Sequence, residues 1–207
     1  MEADKPKPRV ATFTDWMRAR LKGVVDPLAE FFIRLGLTPN MMTLLGLTLN
    51  VVGAVLIAGG AMTAGGLFIL IGGPFDGLDG AMARRLGQPT KFGAFVDSVT
   101  DRWSEMLILM GLLFYYLSSS HPQALLYSML VFLATMGSVM VSYTKARAET
   151  LGFDCNVGVL TRMERYLVMA PALVLNLPWV ALWIVAILAN VTALQRLWHV
   201  RAQAHRS

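Results

Sequence analysis

Cysteine is almost absent from this chain of 207 residues, and no stretch of distinct composition sets off a second domain. The single Cys155 cannot form an internal disulfide, which excludes a disulfide-stabilised fold. Residues 1–10 are polar and lack the apolar core of a signal peptide, so we expect them to form a disordered N-terminal segment. The sequence also contains no recognisable internal repeat.

Formal charge is missing from three long stretches, residues 35–75, 106–144 and 166–195, which contain 41, 39 and 30 positions. A membrane-crossing helix needs about 20 predominantly apolar residues, so each of the first two stretches accommodates two spans. The third accommodates two spans if their ends include the flanking basic residues. Together with 56% hydrophobic residues and a mean hydropathy of +0.56, these stretches predict an all-α integral membrane protein.

We predict six transmembrane helices within a domain covering residues 37–207, at roughly 39–59, 65–87, 92–118, 122–149, 157–175 and 178–201. An amphipathic helix over residues 11–36 precedes them, because apolar residues recur there at helical spacing. Such a helix lies in the interface between the membrane and the cytoplasm. The segment Asn176-Leu177-Pro178 predicts the turn between the last two spans.

Positive charge is absent from alternate turns. None of the 18 Lys and Arg residues lies in the turns at 59–66, 118–123 and 176–178. This distribution predicts six spans with both termini and the basic turns in the cytoplasm. We expect a multi-pass protein in the plasma membrane of a prokaryote. The pI of about 9.7 also suits nucleic-acid binding, but the charge is spread among membrane turns and no recognition module is present, so we expect no nucleic-acid partner.

Four carboxylates, Asp76, Asp79, Asp97 and Asp101, follow the first charge-free stretch closely. Carboxylates at a membrane edge are costly, so they indicate function. Their i,i+3 and i,i+4 spacings place each pair on one face of a helix, and two facing pairs form an oxygen-ligand site for hard divalent cations. A divalent-cation transporter is one alternative, although transporters place such groups near mid-membrane, often within inverted repeats.

Residues 76–101 read D-x2-D-G-x2-A-R-x8-G-x3-D-x3-D, and on this motif the chain is identified as a member of the CDP-alcohol phosphotransferase family. The resemblance implies that Asp76, Asp79 and Asp97 bind two Mg²⁺ or Mn²⁺ ions, and that Asp101 is the general base and also a metal ligand. It implies a homodimer that moves a phosphate-linked group from a CDP-diacylglycerol-type lipid to a second alcohol and releases CMP. Residues implied to contact the CDP group are Asp79, Gly80, Arg84, Gly93, Asn40 and Thr43.

Basic residues at three predicted helix ends indicate the acceptor. Guanidinium groups recognise phosphate well, so a phosphorylated alcohol suits such a cluster; anchoring to lipid headgroups is the ordinary alternative. The pattern resembles the phosphatidylinositol phosphate synthases of the family, which implies inositol 1-phosphate as the acceptor. Glycerol 3-phosphate, the acceptor of phosphatidylglycerophosphate synthases, remains a second possibility because it is also a phosphomonoester. The implied phosphate ligands are Lys145, Arg147, Arg165 and Arg196, with Arg162 less clearly matched.

Overall fold

The computed structural model describes residues 13–87 and 89–205, except for the side chains of residues 13–19, 21, 22, 24 and 76. Every regular element in this part of the chain is a helix, which confirms the predicted all-helical architecture. The disordered segment expected over residues 1–10 lies outside the described residues. In chain order the helices are α1 (Phe13–Arg34), α2 (Pro39–Ala58), α3 (Met62–Arg85), α4 (Lys91–Ser118), α5 (Ala124–Thr150), α6 (Arg162–Val174) and α7 (Pro178–Ala204).

Threonine caps set the start of two helices that carry site residues. Thr38 Oγ1 accepts a hydrogen bond from Met41 N at 3.3 Å, with Pro39 in the first position of α2. Thr90 Oγ1 accepts one from Gly93 N at 2.9 Å at the start of α4. These local bonds fix where each helix begins, and therefore which face its later residues occupy.

The turn between α6 and α7 lies where the sequence predicts it. Asn176 has a φ of 57°, in the left-handed region that asparagine tolerates better than most residues. Pro178 occupies the first turn of α7, where its missing N–H costs no helical hydrogen bond.

Helix α6 begins at Arg162, so the prediction that it starts near residue 157 is wrong. The backbone of the preceding segment bonds to α7 instead: Leu160 N donates to Thr192 Oγ1 at 2.9 Å, and Val157 O accepts from Arg196 Nε at 2.9 Å. Gly158 adopts a φ of 132°, and a Cβ there would lie 2.4 Å from Thr192 Cγ2. The segment is therefore shaped by a helix more than thirty positions away in sequence.

Helix α2 packs against both α3 and α4, while α5 packs against α7, and α6 contacts α3 and α7. Glycines allow the closest approaches. A Cβ on Gly65 of α3 would lie 2.7 Å from Gly53 O of α2, and one on Gly111 of α4 would lie 2.5 Å from Ala54 O of α2. Among the described residues, α3 and α4 pack far less against each other than either packs against α2. Direct packing therefore does not close these two helices onto each other.

Helix α1 covers the end of α3 that carries the aspartate motif. Glu30 accepts hydrogen bonds from Arg34 at 2.6 Å and from Arg85 at 2.9 Å. These bonds, the one from Arg34 above all, lower the pKa of the Glu30 carboxyl. Beneath them Ala29 is buried in an apolar cluster with Met42 of α2 and residues of α3. The amphipathic helix is thus tied to α3 by both charge and apolar contact.

Three of the described helices, α2, α5 and α7, are long and apolar enough to cross a membrane, with mean hydropathies of 2.1, 2.0 and 1.7 in their most apolar windows. Helices α3 and α4 carry charged residues. Helix α6 has 13 residues, which at about 1.5 Å per residue span roughly 20 Å of a 30 Å hydrocarbon core. The count of six spans therefore stays a prediction.

Candidate active site

Asp79 is a buried carboxylate of α3, with 6% of its surface exposed. Thr43 Oγ1 of α2 donates to Asp79 Oδ2 at 2.5 Å, and the Gly80 backbone N–H donates to Asp79 Oδ1 at 2.5 Å. Two donors from different elements hold the ionised carboxylate in one orientation, since hydrogen bonds to the charged form favour it. The structure thus brings Thr43 to the motif; its contact with the CDP group stays a prediction. Asp76 lies in α3, but its side chain is outside the described part.

Arg84 lies directly over Gly80. A Cβ on Gly80 would be 3.3 Å from Arg84 Nη1, so the glycine lets the guanidinium fold back along α3. At the start of α4, a Cβ on Gly93 would lie 3.0 Å from Thr90 Oγ1, which leaves little room for a side chain. Asn40 is exposed in the first turn of α2. Arg84, Gly80 and Gly93 therefore flank the α3–α4 turn, while Asn40 lies one helical turn before Thr43.

Asp101 is the buried carboxylate of α4, and its charge partner comes from α6. Arg162 Nη2 forms an ion pair with Asp101 Oδ1, while Asp97 is half-buried one turn earlier in α4. Arg102, the neighbour of Asp101 in sequence, donates to the Ser98 carbonyl of its own helix instead. Sequence reasoning matched Arg162 less clearly than the other basic residues and did not pair it with Asp101. The sequence feature that pointed to Arg162 was its i,i+3 spacing from Arg165, which places both residues on one face of a helix.

The oxygen donors present suit a hard divalent cation. Mg²⁺ and Mn²⁺ prefer carboxylate oxygens, and the buried Asp101 carboxylate already requires a positive partner, here Arg162. Within the side chains that the structure describes, no three His, Cys, Asp or Glu groups lie close enough together to share one ion. Asp76 is not among those side chains, so the four-carboxylate site stays a prediction. Asp79, Asp97 and Asp101 would hold the metal together with Asp76.

Arg165 is buried, with 3% of its surface exposed, and is held by α4. Its Nε and Nη2 donate to the two carboxylate oxygens of Glu105 at 2.5 and 2.8 Å, and its Nη1 donates to Leu160 O at 3.3 Å. A bidentate guanidinium–carboxylate pair is strong and directional. Sequence reasoning found Arg165 but missed Glu105, which has no motif around it.

Arg196 is buried at 4% exposure and joins three parts of the fold. Its Nε donates to Val157 O at 2.9 Å, and its Nη1 donates to Val141 O of α5. Lys145 Nζ, at the end of α5, donates to Asn156 Oδ1 at 3.2 Å. Arg147 is exposed on the same helix, two positions along. Lys145, Arg165 and Arg196 therefore all contact the segment 156–160.

The loop beside these cations contains the fully buried Cys155. Burial raises the pKa of its thiol, although Arg196 and Lys145 act in the opposite direction. Asp154 is clamped to α7, because its N–H donates to Gln203 Oε1 at 3.1 Å and its carbonyl accepts from Gln203 Nε2 at 2.6 Å. The cysteine is a packed, protonated side chain in this loop.

Comparison with known protein families matches residues 36–196 to the family described as CDP-alcohol phosphatidyltransferase. This range contains the whole aspartate motif and most of the chain. The protein therefore belongs to the CDP-alcohol phosphatidyltransferase family, a family of metal-dependent membrane transferases. The expected enzyme class is confirmed, and the carboxylates need no transport function to explain them.

Relatives with assigned activities are similar over nearly the whole chain. The phosphatidylinositol phosphate synthase of Mycobacterium marinum is 38% identical, over 88% of this chain and 82% of that protein. The archaetidylinositol phosphate synthase of Pyrococcus horikoshii is 31% identical, over 89% of this chain and 95% of that protein.

A solved structure has the same fold. The crystal structure of Mycobacterium tuberculosis phosphatidylinositol phosphate synthase with CDP-DAG bound matches with a TM-score of 0.76 and 33% identity, over 86% of this chain and 93% of that one. The same mycobacterial enzyme was crystallised with manganese and citrate, and that structure covers 85% of this chain at a TM-score of 0.76. The chain thus has the fold of a membrane-embedded phosphatidyltransferase.

Proposed function

We propose that this enzyme transfers the phosphatidyl group of a CDP-diacylglycerol-type lipid to a hydroxyl of inositol 1-phosphate, giving phosphatidylinositol phosphate and CMP. The observation that carries the acceptor is the convergence of Lys145, Arg165 and Arg196 on the segment 156–160. Three helices contribute one cation each to this place, and a phosphomonoester dianion is the ligand that such a cluster suits.

Arg196 keeps a donor for such a ligand. A guanidinium has five N–H groups, and the two protein bonds of Arg196 use only Nε and Nη1, which leaves Nη2. Because its other nitrogens are anchored to carbonyls, Arg196 is preorganised and loses little side-chain entropy on binding. Lys145 and the exposed Arg147 would complete the phosphate site from the end of α5.

The names of the relatives support this acceptor and widen the choice of donor. The mycobacterial relatives are phosphatidylinositol phosphate synthases, one of them crystallised with CDP-DAG bound. The relative from Pyrococcus horikoshii is an archaetidylinositol phosphate synthase. An inositol phosphate headgroup is common to the products in these names, while the lipid part differs. We therefore propose the acceptor with the donor class left as a CDP-activated dialkyl or diacyl lipid.

In the proposed reaction, the Asp101 carboxylate accepts the proton of the attacking inositol hydroxyl. The hydroxyl oxygen forms a bond to the lipid-bearing phosphorus, and the bond between that phosphorus and the oxygen of CMP breaks. Two Mg²⁺ or Mn²⁺ ions, which the four aspartates would hold, would supply neutralisation of the pyrophosphate charge. Arg84 binds a phosphate of CDP beside Gly80. Thr43 orients the Asp79 carboxylate for metal binding.

The same proposal includes the membrane topology. Six spans with both termini and the aspartate motif on the cytoplasmic side fit the distribution of Lys and Arg along the chain. In this arrangement the lipid chains of the donor stay in the bilayer, while its nucleotide reaches α3 and α4 from the cytoplasm. The homodimer implied by the family resemblance stays a prediction.

The test is CMP release by purified protein with CDP-diacylglycerol and Mg²⁺. Inositol 1-phosphate, glycerol 3-phosphate, free inositol and serine are compared as acceptors, and an archaeal-type ether-linked CDP lipid is compared as donor. We expect inositol 1-phosphate to be used by far the best. Preference for glycerol 3-phosphate would refute the proposed acceptor while keeping the aspartate chemistry. The Asp97→Asn variant controls for a contaminating hydrolase, since it should release no CMP with any acceptor.

A further inference from the structure

Helix α6 contacts both of the helices that carry the aspartate motif, through two consecutive residues. Arg165 bonds to Glu105 of α4, and Tyr166 bonds to the backbone of α3. Consecutive residues on a helix point in different directions, which is why neighbours in sequence reach two different helices here.

The contact of Tyr166 with α3 fills a gap in the hydrogen bonding of that helix. Pro74 lies inside α3 and has no N–H, so the Leu70 carbonyl, four residues earlier, lacks its helical donor. Tyr166 Oη donates to Leu70 O at 2.8 Å and lies 3.2 Å from Ile69 O. The tyrosine therefore satisfies a carbonyl that the proline leaves open, and holds α3 at that point.

Gly73 provides the space for this contact. A Cβ at position 73 would lie 2.2 Å from both Cζ and Oη of Tyr166, closer than any side chain allows. Glycine inside a helix is unfavourable by about 1 kcal/mol relative to alanine. Gly73 and Pro74 both disfavour helix, and they lie where Tyr166 contacts α3. Pro74 precedes Asp76 by two residues.

The contact of Arg165 with α4 is equally specific. Both carboxylate oxygens of Glu105 accept from Arg165, whose surface is 3% exposed. Glu105 follows Asp101 by one helical turn. The pair fixes α4 at a point close to the proposed general base.

The two contacts lie farther from the α3–α4 turn than the carboxylates do. Along α3, Leu70 precedes Asp76 by about 9 Å of helix, and along α4, Glu105 follows Asp101 by about 6 Å. At the other end, the turn after Arg85 connects the two helices covalently. Between these ties α3 and α4 pack little against each other among the described residues. Their separation beside the carboxylates is therefore not set by direct contact.

We propose that Tyr166 and Arg165, with Glu105, form a brace that, together with the packing of α2 against both helices, sets the distance between α3 and α4 and so positions the carboxylate pairs for their metal ions. This rests on the proposed function in that the carboxylates bind metal. Tyr166 and Glu105 are positioning residues, which act through the helices they hold. Arg165 has this role whether or not it also binds the acceptor phosphate.

The test compares Tyr166→Phe and Glu105→Gln with wild type in metal-stripped protein in nanodiscs, measuring Mn²⁺ affinity by the EPR signal of free Mn²⁺. Each variant keeps the shape of the side chain. We expect each variant to raise the Kd for Mn²⁺ about three- to tenfold. This factor corresponds to the net free-energy contribution of one hydrogen bond. In the double variant, the Kd for Mn²⁺ should rise by less than the product of the two single-variant factors, because loss of either contact already allows the separation of α3 and α4 to change.

Matched controls are Tyr127→Phe, at the start of α5, and Glu149→Gln, exposed at its end; both should keep Mn²⁺ affinity within twofold. The KM for the acceptor should also stay within twofold in Tyr166→Phe. Mn²⁺ affinities like wild type in both brace variants would overturn the proposal. So would a Glu105→Gln variant that changes only the acceptor KM, since Arg165 would then serve the acceptor alone. Mn²⁺ binding needs no acceptor, so failure of the proposed acceptor would leave this test intact.

Discussion

Replacing Arg162 by glutamine should strengthen metal binding. In the structure Arg162 Nη2 pairs with Asp101 Oδ1, one of the proposed metal ligands. A guanidinium and a divalent cation compete for this carboxylate, because either one neutralises it and their like charges repel each other. Removal of the guanidinium leaves the buried carboxylate without this partner. A metal ion then binds more tightly, because it no longer has to displace the arginine.

The size of the effect follows from the exposure of the pair. Two unit charges about 4 Å apart attract by about 4 kcal/mol at an effective dielectric constant near 20. The Arg162 side chain is 44% exposed and that of Asp101 is 9% exposed, so solvent screening reduces the interaction to about 1 kcal/mol. Since about 1.36 kcal/mol corresponds to a factor of ten, the Kd for Mn²⁺ should fall about fivefold.

The assay is titration of metal-stripped protein with Mn²⁺, followed by the EPR signal of the free ion. Arg162→Lys keeps the charge and should bind Mn²⁺ within twofold of wild type. Arg201→Gln removes an exposed cation from the last turn of α7 and should do the same. A folded Arg162→Gln variant with unchanged or weaker Mn²⁺ affinity would refute the reasoning, because Arg162 would then not compete for the metal site.

Three further outcomes follow from the site. Asp101→Asn should lower turnover at least about 100-fold, the lower end of general-base contributions, while metal-dependent binding of the CDP lipid is largely kept by the other three aspartates; turnover like wild type would remove Asp101 as the base. Arg196→Gln should raise the KM for the acceptor far more than the KM for the donor, measured below its unfolding temperature because the bonds to Val141 and Val157 are lost as well; equal increases would place Arg196 outside the acceptor site. Cys155 is buried, and its raised pKa keeps the thiol protonated at neutral pH. Maleimide should therefore label it slowly in folded protein, faster at alkaline pH and quickly after unfolding. Fast labelling of folded protein at neutral pH would show that the loop opens.

Most helix positions could be predicted from the sequence because their causes are local. Charge-free runs, threonine caps and the Asn176–Pro178 turn act within one or two helical turns, and the helices begin and end within a few residues of the prediction. The start of α6 could not be predicted in this way. Residues 157–160 form hydrogen bonds with Thr192 and Arg196 of α7. No local sequence pattern predicts bonds to residues so distant in the chain.

The carboxylate motif was also readable from the sequence, since Asp76, Asp79, Asp97 and Asp101 have fixed spacings within 26 positions. A spacing of three or four residues places two side chains on one helix face through backbone geometry alone. The chemistry of the motif therefore belongs to the sequence itself, as does the enzyme class that the family comparison confirms.

Only the tertiary structure decided which charges meet. Asp101 pairs with Arg162 and not with the adjacent Arg102, Glu105 receives Arg165 from 60 positions away, and Tyr166 satisfies a carbonyl 96 positions away. Such pairings depend on how helices pack, because a buried charge takes whichever partner the packing brings within reach of its oxygens. Helix periodicity determines the face on which a residue lies, and the packing of the described helices determines what that face meets.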